Sequence, residues 1–287
     1  MRRVGSILQV KNENTIIKHQ LDILSLLCDW IFVIDDNSTD NTTGRIRGHK
    51  NNKKIRLIQN KGKHRNEGNL FNQCLKMARK YGCDRIYIAD ADEIVPPWGL
   101  DKMNNLLRNT DENVRLHRAE LCLDQESYYG LKGTGKLVIV NERGIRFNEK
   151  IPIHTSQPQI HGKQVLPPPE YCSLLHYGTC DYAYQVFKCL SYIVWENKKL
   201  GKSYKQGYEE YFRTYENFVQ STENKATDYL WLGEHGINSP VPYRHYMDRD
   251  ARIICNSLNV FEGFDIIKTI ETIKKNEFAR KYIFERA

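Results

Sequence analysis

The first hundred residues alternate short apolar runs with amphipathic stretches, and few architectures accept that rhythm. Val4–Val10, Trp30–Asp35, Ile55–Gln59 and residues 85–89 are apolar runs of strand length. Between them Ile16, Ile17, Gln20, Leu21, Leu24 and Leu27 recur at helical spacing, as do Leu70, Cys74, Leu75 and Ala78. Strand and helical crossover in repeated alternation predict a mainly parallel sheet with helices on both faces. Ligands bind such sheets beyond the carboxyl ends of the strands, which directs attention to the loops after Val10, Ile34, Gln59 and Ala89.

From about Asn113 the rhythm weakens. Residues 114–121, 136–140 and 171–175 read as strands of a mixed extension, with Gly130, Gly133 and Gly135 marking a bend and Pro167-Pro168-Pro169 a stiff surface connector. Beyond His176 the pattern turns helical, at 182–199, 205–220 and 264–276. The expectation is an α/β domain over residues 1–180 and a mainly helical part over 181–287, packed against the sheet or facing the acceptor. Its aromatic residues are expected mostly in the core, with Tyr243-Arg244-His245-Tyr246 a candidate acceptor loop. No apolar run reaches the roughly 18 residues of a membrane span, so neither a span nor a signal peptide is expected. The eight cysteines have no C-x-x-C pairing, which predicts reduced core thiols and a cytoplasmic setting.

The net charge of +8 suits an anionic partner: a nucleoside diphosphate, a nucleic acid or the headgroups of a membrane touched peripherally. A non-catalytic nucleic-acid binder would explain the charge, but no helix-turn-helix, zinc-finger or RNA-recognition pattern is present. No nucleic-acid partner is expected.

The sharpest local signal is Ile86-Tyr87-Ile88-Ala89-Asp90-Ala91-Asp92-Glu93, an apolar strand running straight into three acids. Carboxylates this close raise one another's pKa unless a cation neutralises them. Hard oxygen donors at a strand end suit Mg²⁺ or Mn²⁺, which take one or two carboxylates plus phosphate oxygens. The bland alternative is a solvated acidic turn capping the next helix. Neighbouring strand ends add Gln9-Val10-Lys11-Asn12-Glu13 and Asp35-Asp36-Asn37-Ser38-Thr39-Asp40. The second stretch would serve as a helix cap, yet two consecutive acids exceed that need and can accept hydrogen bonds from a base or ribose. Lys61, Lys63, His64 and Arg65 add cationic donors before a helix whose N-terminus favours anions.

Taken together, Val10-Lys11-Asn12-Glu13, Ile34 to Asp40, Arg65-Asn66-Glu67-Gly68 and Asp90-Ala91-Asp92-Glu93 resemble the family 2 glycosyltransferases of the GT-A fold, in that family's order and spacing. The resemblance implies a GT-A (Rossmann-like) mixed, mainly parallel sheet flanked by helices, with a helical C-terminal extension. It implies Mn²⁺ or Mg²⁺ at Asp90 and Asp92 on the diphosphate of a nucleotide-sugar donor, Asp36 on the base, and Gln9, Lys11, Asn12, Glu13 and Arg65 as nucleotide contacts. The acceptor would be a hydroxyl on a glycan, lipid or protein-linked sugar.

Downstream, Phe147-Asn148-Glu149-Lys150-Ile151-Pro152-Ile153-His154 and Leu175-His176-Tyr177-Gly178, with Lys188 beyond, are similar to a subgroup that includes lipopolysaccharide-core glucosyltransferases. That likeness makes His176 a third metal ligand and Lys188 a phosphate contact. Thr155 stands where the subgroup has Glu, and the acid usually found before strand 136–140 is missing. Asp124, Glu126, Glu149 and His154 are then the groups from which a proton acceptor for the acceptor hydroxyl would come. A sugar-phosphate nucleotidyltransferase is the closest rival, but it would carry a glycine-rich loop after the first strand, and residues 9–14 contain no glycine.

Overall fold

The computed structural model describes residues 2–60, 67–121, 128–129, 135–143, 145–150, 158–178 and parts of 189–212. In chain order these form β1 (Val4–Val10), α1 (Ile17–Leu27), β2 (Trp30–Asp35), α2 (Thr42–Arg47), β3 (Ile55–Gln59), α3 (Glu67–Lys80), β4 (Arg85–Asp90), β5 (Glu93–Ile94) and α4 (Leu100–Asn109). There follow β6 (Asn113–Leu121), β7 (Tyr128–Tyr129), β8 (Lys136–Asn141), β9 (Gln164–Val165), β10 (Ser173–His176) and α5 (Tyr204–Gly207).

The described strands join in one sheet, ordered β3-β2-β1-β4-β8-β6-β10-β5, with β7 and β9 also on β6. β1 lies parallel to β2 and β4, and β2 parallel to β3, whereas β8 runs antiparallel between β4 and β6. This is the mixed, mainly parallel α/β sheet that the sequence implies.

Period-two alternation sorts the side chains between two cores. Val4, Leu8, Ile31, Val33, Tyr87 and Ala89 face the layer that receives Leu21 and Leu24 of α1 and Met103 and Leu107 of α4. Ile7, Phe32, Ile34, Ile86 and Ile88 face α3 through Leu70, Phe71, Cys74 and Leu75. Burial on both faces explains why these strands read as continuous apolar runs. A third cluster, Ile94, Ala119, Leu121, Leu175 and Tyr177, fills the sheet extension.

The sequence reading contains neither α4 nor β5. Helix α4 buries only Met103, Leu106 and Leu107 among polar residues, a stripe too thin to stand out by period. β5 has two residues and exists because β10 pairs with it, joining Leu175 to Ile94 and His176 to Glu93. The third late strand begins at Ser173 rather than residue 171. Gly135 sits at φ +64°, where a Cβ would stand 2.9 Å from the Leu116 carbonyl oxygen, so only glycine fits this close turn into β8.

Of the expected C-terminal helices, the described positions between 189 and 200 are helical, with Leu190, Ile193 and Val194 buried. Gly201, at φ +68°, ends that stretch and donates to the Asn197 carbonyl. Ser203 and Gln206 then form a capping box that starts α5. The segment 264–276 and the Tyr243–Tyr246 cluster lie outside the described residues. Cys28, Cys74, Cys83, Cys172 and Cys189 are free and buried, and burial pushes the Cys28 and Cys172 thiols up to about 12.

Candidate functional site

Parallel pairing brings the loops after β1, β2 and β4 to one end of the sheet. Gln9 stands in register with Ile34 on one side and Asp90 on the other, and its Nε2 is buried without a partner among the described residues. The first two loops are zipped together by side chains. Asn12, at φ +59°, accepts at Oδ1 from the Thr39 amide (2.7 Å), and its own amide donates to Ser38 Oγ (3.0 Å). Asn14's amide donates to Asp40 Oδ2 (3.1 Å), while Asp40 Oδ1 accepts from the Thr42 amide at the start of α2 (2.9 Å).

The two acids ending β2 divide their work. Asp35 accepts from the Ser38 amide (3.2 Å) and shapes the turn. Asp36 accepts from Asn60 Nδ2 (2.8 Å), and the Asn60 amide donates to the Asp35 carbonyl. Lys11 is exposed and Glu13 buried in the loop after β1, with the Glu13 carbonyl opening the turn into α1.

Past β4 the acids do not behave as one set. Glu93 turns inward, 1% exposed at its side chain, and receives Lys136 Nζ at 2.5 Å and Arg118 Nη1 at 3.1 Å. Lys136 also pairs with Asp90, the most exposed of the group at 37%. Arg118 also pairs with Glu120, which accepts from His176 Nδ1. His176 Nε2 thereby points to Asp92 Oδ2, 3.4 Å away. The Tyr177 amide fixes this arrangement by donating to the Asp92 carbonyl (2.8 Å). β4, β5, β6, β8 and β10 each supply a member.

Electrostatics follow from this wiring. Burial opposes the charge on Lys136, but Asp90 and Glu93 outweigh it and hold its pKa above the ordinary lysine range. Burial likewise opposes protonation of His176, yet Glu120 and Asp92 push it up to about 9. Glu120 is held below the usual carboxylate range despite its burial, by His176 and Arg118. Four carboxylates thus face two permanent cations, and a proton on His176 supplies part of the missing positive charge.

Two of these side chains are of the kinds that ligate divalent cations. Asp92 Oδ2 and His176 Nε2 converge as one hard oxygen and one imidazole nitrogen. Glu120 on Nδ1 is the outer partner that ligating histidines generally have. At Gly178 a Cβ would stand 2.7 Å from His176 Nε2 and 3.1 Å from Asp92 Oδ2, so glycine keeps the space beside the pair open. Among the described residues no group of three or more His, Cys, Asp or Glu side chains is placed to hold a metal ion.

Glu149 lies against α3. Its carboxylate accepts from Asn72 Nδ2 of α3 (2.8 Å) and lies 4.0 Å from Arg146, beside an open cleft lined also by Lys76 and Arg79. Arg65, Asp124, Glu126, His154 and Lys188 lie outside the described residues. Sequence reasoning missed Arg118, Glu120 and Lys136. Alternation of charge within β6 was the available signal for the first two, and a lysine opening an otherwise apolar strand for the third.

Residues 11–160, just over half of the chain, match the model of glycosyl transferase family 2, and the chain belongs to that family. Its sheet and helices have the GT-A fold. Solved structures similar to it include glucosyl-3-phosphoglycerate synthase from Mycobacterium tuberculosis in complex with Mn²⁺, UDP and glucosyl-3-phosphoglycerate (22% identity, 41% of this chain and 44% of that one, TM-score 0.31). S. aureus TarS residues 1–349 with UDP-GlcNAc is another (13% identity, 69% and 67%, TM-score 0.45). GalNAc-T7 with UDP, GalNAc and Mn²⁺ is a third (12%, 73% and 56%, TM-score 0.42). The chain spans less than half the length of the first structures it matches. No curated protein matches its sequence.

Proposed function

We propose that this chain is a glycosyltransferase that moves a sugar from a nucleoside-diphosphate donor to a hydroxyl acceptor, with Mn²⁺ or Mg²⁺ held by Asp92 and His176 and by Asp90 at the site's exposed edge. The observation that carries the reading is the convergence of Asp92 and His176 beside Gly178 within a cluster of excess carboxylate. Bound there, the ion would offset the charge that develops on the departing diphosphate. Lys136 sets the position of Asp90, and Glu120 sets the tautomer and direction of His176.

Gln9, Lys11, Asn12, Glu13, Asp36, Arg65 and Lys188 make up the donor side in this reading. The base and ribose lie against Asp36, whose carboxylate Asn60 orients, and the unpartnered Gln9 amide is a donor for the same ligand. A carboxylate or imidazole from Asp124, Glu149 or His154 takes the acceptor's proton. The Leu175-His176-Tyr177-Gly178 segment is the part of the lipopolysaccharide-core subgroup likeness that falls on this site. Residues 181–287 act as the acceptor side or as packing for the sheet.

The test is calorimetric titration with UDP-, GDP-, CMP- and dTDP-sugars, with and without Mn²⁺. One sugar nucleotide should bind more tightly with the metal, and Asp92→Ala should abolish that gain while keeping the fold. Binding of every nucleotide that is indifferent to Mn²⁺ would overturn the metal assignment, and consumption of added pyrophosphate to give nucleoside triphosphate and sugar 1-phosphate, in place of release of nucleoside diphosphate, would overturn the transfer.

A further inference from the structure

One edge of the sheet carries a run of basic residues with no acids among them. Between residues 41 and 60 there are six Lys and Arg and no Asp or Glu, in a chain of net charge +8. These residues build α2, the turn at 52–54 and β3, the outermost strand beside β2. Arg45, Arg47, Lys50 and Lys53 are exposed. Arg56 is committed elsewhere, stacked on Trp30 and Tyr81 at 4.6 and 5.0 Å from the ring centres.

Helix α1 completes the face. Lys18, Asp22 and Leu26 follow one another at i, i+4 and i+8 and so lie on one stripe. Lys18 borders a groove of about 470 Å³ whose other walls are Asn41, Arg45, His49 and Lys50, with Gly44 and Gly48 contributing no side chains. The acid on this stripe, Asp22, is matched by Lys50 (2.8 Å) and His49 (3.3 Å). At the far end Leu26 is 71% exposed, the highest value among the described large apolar residues. Lys54 Nζ donates to the Ser25 and Cys28 carbonyls (2.9 and 3.2 Å), which puts Leu26 at the same corner as the basic turn.

A row of cations alone would suit any polyanion. A projecting leucine at the same corner gains nothing from a nucleic-acid backbone but gains from the headgroup–acyl boundary of a bilayer, where apolar insertion and basic charge act together. We propose that the α1–α2 edge docks on an anionic phospholipid leaflet, with Leu26 inserted below the headgroups and Arg47, Lys50 and Lys53 on their phosphates. None of these residues belongs to the acidic cluster or the donor loops, so docking and catalysis are separable.

The test is flotation of the full chain with vesicles of phosphatidylcholine alone and of phosphatidylcholine mixed equally with phosphatidylglycerol. Binding should require the anionic lipid and weaken with added salt. The double variant Arg47→Gln, Lys53→Gln should lose on the order of 30-fold in partitioning, since each basic residue near such a surface contributes roughly fivefold. Leu26→Ser should lose about fivefold, with unchanged thermal melting in both cases. Equal binding to neutral and anionic vesicles would overturn the proposal. So would binding to anionic vesicles that Leu26→Ser leaves unchanged, or tighter binding to single-stranded RNA than to vesicles at the same salt.

Discussion

β4 meets a buried cation at each end, and the two are handled in opposite ways. At its start Arg85 is fully buried and donates to the Asn141 side chain (2.5 Å) and the Glu112 carbonyl (2.8 Å), both neutral. Burial lowers its pKa to about 10, and Asp111 and Glu112 only partly restore it. At the other end Lys136 meets carboxylates directly, and its pKa rises. Arg85 therefore staples β4 to β8 and to the turn before β6, with its Nε left without a partner among the described residues. The Lys136 end assembles more negative than positive charge and is completed only by a proton or a cation.

That contrast breaks most visibly at Asp92. In the proposed reading Asp92→Ala lowers sugar transfer roughly a hundredfold or more, because the developing diphosphate charge loses its counter-ion. The melting temperature should stay near that of the parent, or rise in metal-free buffer, since one repelling carboxylate is gone. Steady-state transfer assays beside a thermal melt decide it, and an inactive protein that has also unfolded would turn the site into a structural cluster.

Lys136→Met should show the next largest effect, this time on stability. Removing the ammonium leaves Glu93 buried with Arg118 alone and Asp90 without its partner, and breaking a buried pair in this way costs about 3–5 kcal/mol. Denaturant unfolding measures it. Partial recovery on adding Mn²⁺ would tie the loss to uncompensated charge and not to lost packing.

Glu120→Gln sharpens the same comparison at smaller amplitude. The amide can still meet His176 Nδ1, but it no longer orients and charges the ring as a carboxylate does. Metal affinity measured by titration should fall roughly 10- to 100-fold with the fold intact. A Glu120→Asp variant should recover part of the affinity if position as well as charge matters.

How much of this was legible in the sequence divides along the same line. The β1 to β4 strands and helices α1 and α3 were readable because burial on both faces makes apolar periodicity strong and local. The acids ending β4 were readable because their spacing is written in consecutive residues. The wiring around them was not, because Lys136, Arg118 and Glu120 arrive from β8 and β6 through pairings set by distant register, and β5 exists only through β10. Glu93 reads as a third exposed acid in sequence and is the most buried one in the structure. No local pattern distinguishes the two.

Arg85→Met gives the smallest effect and the clearest check on the comparison. The methionine fills most of the aliphatic volume and abandons a side-chain amide oxygen and backbone carbonyls. Each acceptor is neutral and one hydrogen bond is worth about 1 kcal/mol net, so the cost should be about 1–3 kcal/mol in denaturant unfolding. It should not respond to Mn²⁺ or to sugar nucleotide, because nothing at this end of β4 reaches the site. A loss equal to that of Lys136→Met would mean that Arg85 is held by the charges of Asp111 and Glu112 after all. The two ends of the strand would then differ in ligand access and not in electrostatic design.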